Sequence, residues 1–416
     1  MIVSRRPYHA FISHAHVDRK VADEIVRWLR QVAGVPTWYD ANLPPGSSIA
    51  PSLSRAIEQS RSMILLLSQE SVRRGWVQQE FNAAINHQTQ YPQFRIIPVR
   101  LDDVQPPGFL GNYSSIDVPD GALTMKSAFA ILRGLYQPQV EVDVEGGRHV
   151  YVSRGWRTSD SVLASPVMDA LRNAGLSLIG DSEDHTSWSS QRVAGIMRGV
   201  GGFVAILPFR SNEEHGTSEY VVRECQIAAS LGLPSIVVAD PRIDQSPGWI
   251  PDIGPVFRTD GSDPELLDEA AGYLAERWRE PSQPSYIFFA TSFEREDENI
   301  RREAKELIVA ISGMPCVLGE YVTSTTSVQR AILKKVCEAT AVIADITGDS
   351  PNVYIEAGAA RVADVQLSLL RRGALGRPAF MLRDLQVWDY SSDAELAGRL
   401  AAIVYPLRRA VLDQQR

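Results

Sequence analysis

Trp76 and Glu80 stand four residues apart in the stretch Trp76-Val-Gln-Gln-Glu80. On a helix, residues spaced by four lie on one face, one turn above the other. An indole placed there can stack on a planar heterocycle. A carboxylate beside it can stabilise a cation that develops as a bond breaks. The same two residues serve equally well as a core anchor and a solvated first-turn carboxylate. The neighbouring elements bear on the choice. Met63–Leu67 is a wholly apolar run of strand length, as a buried parallel strand would be. A serine-containing turn follows from Ser68, and Phe81, Ala84 and Ile85 then continue an apolar helix face. The pair therefore falls where a parallel strand hands over to a helix, the usual place for a ligand crevice in an open α/β sheet.

The elements around this stretch repeat one alternation. Tyr8–Ser13 reads as a strand, His14–Asp18 as a polar turn, and Val21, Ile25, Leu29 and Val32 recur at helical spacing. Pro36–Asp40 is a second short strand, and Ala41–Ser48, with two prolines and a glycine, is a loop. Ile49, Leu53, Ala56 and Ile57 make the next helix face, and Arg95–Leu101 a further strand. Strand, helix, strand, helix implies a parallel sheet wrapped by helices.

Six motifs in order, Phe11-Ile-Ser-His14 with Asp18, Trp38-Tyr-Asp40, Leu43-Pro-Pro-Gly46 with Ile49, Ala56-Ile57 with Ser60, Leu66-Leu-Ser68 and Trp76–Glu80, resemble a bacterial TIR domain over about residues 5–135. The resemblance implies a flavodoxin-like sheet and cleavage of NAD+ at the nicotinamide–ribose bond, giving ADP-ribose or a cyclic form of it. It implies that Glu80 is catalytic, that Phe11, Ser13, Asp40, Leu43 and Trp76 bind NAD+, and that Leu43–Ile49 covers the pocket. Loss of the positively charged nicotinamide leaves an oxocarbenium-like ribose, which a nearby carboxylate stabilises. No cofactor is expected, NAD+ being the substrate. No metal is expected either: His9, His14 and His16 flank a strand end without a carboxylate or cysteine to complete a site.

Two further α/β units follow the acidic, glycine-ended stretch Gln137–Gly147, in which Val140, Val142 and Val144 alternate as a short edge strand would. The expected division is a TIR domain over 1–136, a linker over 137–147, and Rossmann-like units over 148–282 and 283–416. The second unit reads as strand His149–Ser153, a helix with Val167, Leu171 and Ala174 ended by Gly175, strand Leu176–Ile179, a helix with Val193, Ile196 and Val200, strand Phe203–Leu207, helix Glu219–Ala229 and strand Pro234–Ala239. The third reads as strand Tyr286–Ala290, a helix with Ile300, Ala304, Leu307, Ile308 and Ile311, strand Cys316–Leu318, a helix with Val328, Ile332 and Val336, strand Ala341–Asp345, a helix from about Tyr354 and strand Pro378–Leu382. Each unit carries a helix with a glutamate followed by small residues, at Glu80, Glu224 and Glu356. That grammar reads as divergent triplication of one module with a period of about 135 residues, too long for a solenoid. It is also what any parallel α/β unit produces.

Ala344-Asp-Ile-Thr-Gly348 followed by Pro351-Asn-Val-Tyr-Ile-Glu-Ala-Gly358 is similar to nucleoside 2-deoxyribosyltransferase-like domains over about residues 284–390. That resemblance implies contact of Asp345 and Glu356 with a nucleoside sugar, the glutamate being the nucleophile in the true enzymes; Asn352 is a further candidate ligand contact, though it and Pro351 also suit an ordinary helix start. Ser153 and Arg154 in the second unit, and Thr291 and Ser292 in the third, follow first strands where phosphate contacts or ordinary caps are both expected. The middle unit shows no chemistry of its own. Glycine-rich nucleotide loops are absent from the sequence, which argues against a kinase, an ATPase or a standard dinucleotide dehydrogenase.

The whole layout resembles bacterial TIR–SAVED antiphage effectors. It implies an NAD+ hydrolase activated by a nucleotide second messenger, such as a cyclic oligonucleotide, and by self-association into an oligomer or filament. Two other readings stand beside it: a TIR scaffold without catalysis, and a nucleoside-processing enzyme using Glu356. The formal net charge of −8 weighs against duplex nucleic acid as a partner. Three cysteines without metal spacing, Cys225, Cys316 and Cys337, read as buried thiols of a reducing compartment. With no apolar run of membrane-spanning length and no signal-peptide pattern, a cytoplasmic protein is expected.

Overall fold

The computed structural model describes residues 6–39, 49–73, 76–136, 147–155, 157–181, 188–213, 216–243, 252–281, 285–292, 298–323, 327–373, 382–407 and 410–411. The first unit runs β1 (Ala10–Ser13), α1 (Arg19–Arg27), β2 (Thr37–Trp38), α2 (Ile49–Glu58), β3 (Ser62–Leu67), α3 (Gln69–Arg73), α4 (Trp76–Gln90), β4 (Arg95–Arg100), β5 (Ile116–Asp117) and α5 (Met125–Tyr136). Its sheet is parallel, in the order β2-β1-β3-β4-β5. Every residue of β3 is buried, because the strand lies mid-sheet with helices on both faces, and a wholly apolar run belongs there. In α1 the spacing of Ala22, Ile25 and Val26 turns one face inward. The helix then widens into a π-helical turn at Trp28–Val32, and Gly34 at φ +64 ends it in the left-handed conformation that glycine adopts freely.

The second unit consists of β6 (His149–Ser153), α6 (Ser161–Asn173), β7 (Ser177–Gly180), α7 (Ser190–Met197), β8 (Phe203–Leu207), α8 (Glu219–Ser230), β9 (Ser235–Ala239), β10 (Val256–Arg258) and α9 (Pro264–Arg277). The third consists of β11 (Ile287–Ala290), α10 (Glu298–Ser312), β12 (Cys316–Leu318), α11 (Val328–Glu338), β13 (Ala341–Asp345), α12 (Pro351–Val362), β14 (Gln366–Arg372), β15 (Val387–Tyr390) and α13 (Asp393–Val404). Their sheets run β10-β9-β8-β6-β7 and β12-β11-β13-β14-β15, so all three units share one order: second strand, first, third, fourth, fifth. The expected α/β class with three parallel-sheet units is what the chain forms. A two-residue strand, β16 (Ala410–Val411), returns from beyond the third unit and pairs antiparallel with β7 at the edge of the second sheet.

The expected strand Pro36–Asp40 is present as β2, shortened to two residues, and several other elements went unanticipated. β5 pairs over only two residues, too short to carry a pattern of its own. Helix α9 had the stronger signal: Asp263 accepts from the Leu266 amide, Pro264 opens the helix, and Leu267, Ala270, Ala271 and Leu274 face the core. In the third sheet the fourth strand is β14, upstream of the expected Pro378–Leu382; residues 378–381 lie outside the described residues, and Leu382 is not in a strand. Helix α12 starts at Pro351, three residues before the expected Tyr354. The alternating valines at 140–144 also lie outside the described residues.

The units do not bury their cores separately. One apolar cluster runs from α1 and α5 of the first unit into α10 and α13 of the third. At its seam the Trp28 indole N–H donates to the Ala394 carbonyl at 3.0 Å, and the Arg399 guanidinium to the Gln31 carbonyl at 3.1 Å. The His9 ring stands edge-on to both Tyr136 and Tyr405, with ring centroids at 5.5 and 5.1 Å. Gly398 permits this approach, since a Cβ there would lie 2.8 Å from Val32 Cγ1 and 3.2 Å from Trp28 Nε1. The second unit keeps two clusters of its own, one on each face of its sheet.

Candidate functional site

In each unit the helix after the first strand and the helix after the third leave the sheet on either side of a switch in strand order. The crevice at the strands' C-terminal ends opens at that point. In the first unit this is where β1 and β3 end. Ser13 is the last residue of β1, buried, and pairs with Leu65 two residues before the end of β3. Phe11 is buried below it among Ala56, Ile57, Met63, Leu65 and Phe81, with the Trp38 ring edge-on at 5.3 Å. Trp76 begins α4 and Glu80 is its fifth residue, so both belong to the helix that follows β3. Their side chains, like Asp40, Leu43 and the rest of the loop to Ser48, lie outside the described residues. Asp18 ties the rim together by accepting from the Ser68 hydroxyl at 2.9 Å, while burial pushes its carboxyl up. Burial also lowers the pKa of His14, whose ring lies 5.3 Å from that of Tyr39, and Tyr39 donates to Asp23 at 2.6 Å.

The second unit, in which the sequence shows no chemistry of its own, repeats these positions. Ser153 ends β6 and pairs with Ala205, two residues before the end of β8, as Ser13 does with Leu65. Glu224 sits on α8, the helix after the third strand, as Glu80 sits on α4. The residue is 7% exposed, and its carboxyl accepts at one oxygen, Oε1, from the Tyr151 hydroxyl and the Trp188 indole, each at 3.3 Å. Burial pushes this carboxyl up to about 7, and the nearby Asp181 charge adds to the rise. The hydroxyl of Ser153 lies against the same carboxyl and favours its ionised form, yet meets hydrogen-bond geometry with no described group. Behind them Arg192 and Asp181 form a buried pair at 2.8 Å. The rim tie recurs too: Arg210 holds the buried Asp160 carboxylate at 2.5 Å, in the turn corresponding to Asp18. Arg154 is half-buried after β6.

In the third unit Asp345 ends β13 and is engaged within the protein. It accepts from the Thr347 amide at 3.0 Å, the Thr347 hydroxyl at 2.5 Å and the Tyr390 hydroxyl at 2.8 Å. Glu356 occupies on α12 the place that Glu224 has on α8, and is 6% exposed. Burial alone pushes its carboxyl up to about 7, and no hydrogen bond or ion pair reaches it from the described residues. Asn352 is exposed on the first turn of α12, and Thr291 and Ser292 are half-buried after β11. Among the described residues no group of three His, Cys, Asp or Glu could hold a metal ion, and no helix is long and apolar enough to cross a membrane. The three cysteines are free, but Cys337 is exposed on α11 rather than buried.

Comparison with known proteins adds sequence to this geometry. Residues 10–132 match the TIR domain family. The NAD(+) hydrolase PdTIR of Paracoccus denitrificans (strain Pd 1222) is 30% identical over 99 residues, which make up 24% of this chain and 33% of that protein. The chain thus spans about a third of the length of that curated relative. Among solved structures, the TIR domain of the Toll-related receptor TRR-2 from Hydra magnipapillata is 24% identical, over 26% of this chain and 83% of that one, with a TM-score of 0.23. A metazoan TIR-STING receptor from C. gigas, in complex with 2',3'-cGAMP, is 20% identical over 41% of this chain and 48% of that one, with a TM-score of 0.28.

Proposed function

We propose, from the premise that the first unit is a TIR domain, that the chain is an NAD+ glycohydrolase with Glu80 as its catalytic carboxylate. The observation that carries the reading is the match of residues 10–132 to that family, together with a curated NAD(+) hydrolase among its relatives. Glu80 lies on the helix that leaves the sheet at the switch point, where a ligand crevice belongs. Its carboxylate stabilises the ribosyl cation as nicotinamide departs, and water completes the hydrolysis. Ser13 and Phe11 at the end of β1, with Asp40, Leu43 and Trp76, line the NAD+ pocket in this reading. Residues 1–136 are the catalytic domain, 137–147 the linker, and 148–282 and 283–416 the sensing units. A cyclic oligonucleotide or related messenger, bound by the sensing units, favours an assembled, active state, as in an antiphage effector. The shared apolar cluster of the first and third units supports the coupling that such a mechanism needs.

Nicotinamide release from NAD+ by the full chain, with and without cyclic di- and trinucleotides, tests the reading. Glu80→Gln is expected to lower release by about a hundred- to a thousandfold, the scale of losing a group made for the transition state. Undiminished release from that variant would remove Glu80 from the chemistry. One observation favours a second reading: Glu356 is a buried carboxyl with a pKa of about 7 and no partner among the described residues, suited to acid–base work on a nucleoside. Release of a free base from nucleosides, lost in Glu356→Ala, would mark that activity.

A further inference from the structure

We propose that the second unit is itself a nucleotide-binding site, with the base stacked on Tyr220 and Trp188 and hydrogen-bonded to Glu224. The inference rests on reading the units after the first as sensing units, and it names the site and the ligand chemistry. Three observations carry it. The first is positional: the serine ending the first strand and the glutamate on the helix after the third strand recur in the second unit as Ser153 and Glu224, matching Ser13 and Glu80.

The second is the state of the polar groups. A buried carboxyl is costly unless fully hydrogen-bonded. Glu224 receives two donors on one oxygen, both at a long 3.3 Å, while the hydroxyl of Ser153, 1% exposed, faces it without meeting hydrogen-bond geometry with any described group. An exocyclic amine or ribose hydroxyl would add a well-placed donor to this carboxyl, whose two measured partners stand at 3.3 Å.

The third is the aromatic face next to that carboxyl. Tyr220, on the first turn of α8, is 57% exposed, an unusual position for a large aromatic side chain. Its ring lies 6.4 Å from that of Trp188, and the Arg223 guanidinium stands 5.9 Å from both rings. The Trp188 indole N–H points to Glu224, so the stacking surface and the hydrogen-bond acceptor are adjacent. The exposed Tyr220 ring, beside the half-buried Trp188, supplies a stack for a planar base, and Arg223, which pairs with Glu219 at 3.4 Å, supplies charge for an attached phosphate.

The test uses the full chain carrying Glu80→Gln, titrated by calorimetry with 5′-AMP, 5′-GMP and cyclic di- and tri-adenylates and guanylates. Binding of at least one of these is expected. Tyr220→Ala should weaken it about tenfold or more, the usual effect of losing a base stack, while Tyr220→Phe retains it. Glu224→Gln should weaken the same ligand. Because Tyr220 is at the surface, its replacement leaves the melting temperature in place, which separates lost binding from lost folding. Absence of binding by the folded protein overturns the proposal, as does affinity unchanged in both Tyr220→Ala and Glu224→Gln. Loss of binding in Glu356→Ala alone would place the ligand on the third unit and overturn it too. Nicotinamide release from the chain with Glu80 intact is read separately, so failure of the hydrolase reading leaves the binding result standing.

Discussion

Glu224 gives the protein a pH-dependent stability whose sign follows from its burial. Its carboxyl titrates near 7 when folded and near 4.5 when exposed, so between these values the folded state holds the extra proton. The stability this group contributes is fully present below about pH 4.5 and is lost as pH rises through about 7. Each pKa unit is worth about 1.4 kcal/mol, so the whole window amounts to at most roughly 3.5 kcal/mol. Glu224→Gln, which stays neutral, should therefore gain melting temperature relative to wild type as pH is raised from 5 to 8. A difference between the two proteins that does not change with pH would refute this. The glutamate was legible in the sequence because its helix repeats the glutamate-then-small pattern seen at Glu80 and Glu356. Its surroundings were not. Tyr151, the Trp188–Arg192 stretch and Glu224 come from three separate segments, and no spacing along the chain announces that folding brings them together.

Most strands and helices could be read from their apolar pattern, because a strand buried on both faces needs an unbroken apolar run and an amphipathic helix a 3.6-residue period. β3, β8 and β13 are of the first kind, and α10 of the second. Elements whose burial depends on another unit were harder to recognise. Helix α13 buries Ala394, Leu396, Ala397, Gly398, Leu400, Ala401, Ile403 and Val404, more than one face, because it packs on its own sheet and also on α5 and the π-helical turn of the first unit. Gly398 is the tightest point of that contact. Gly398→Val places methyl groups where Val32 and the Trp28 indole already lie, and should cost about 1–3 kcal/mol, the usual range for overpacking. Thermal unfolding measures this; a variant as stable as wild type would mean that the seam yields without cost.

For the whole molecule, the shared cluster predicts which parts unfold together. The first and third units share one apolar core, whereas the second holds two clusters of its own. Calorimetry should show the first and third units melting in a single transition, separate from that of the second, with Gly398→Val lowering only the former. Independent melting of the first unit would contradict this. The seam also has a consequence in time. A ribosome adding about 5–20 residues per second reaches α13 roughly ten to fifty seconds after finishing α5. Throughout that interval the nascent first unit presents Trp28 and the outward face of α5 without their cover, so every newly made copy passes through a period in which the first unit exists and the unit that grips it does not.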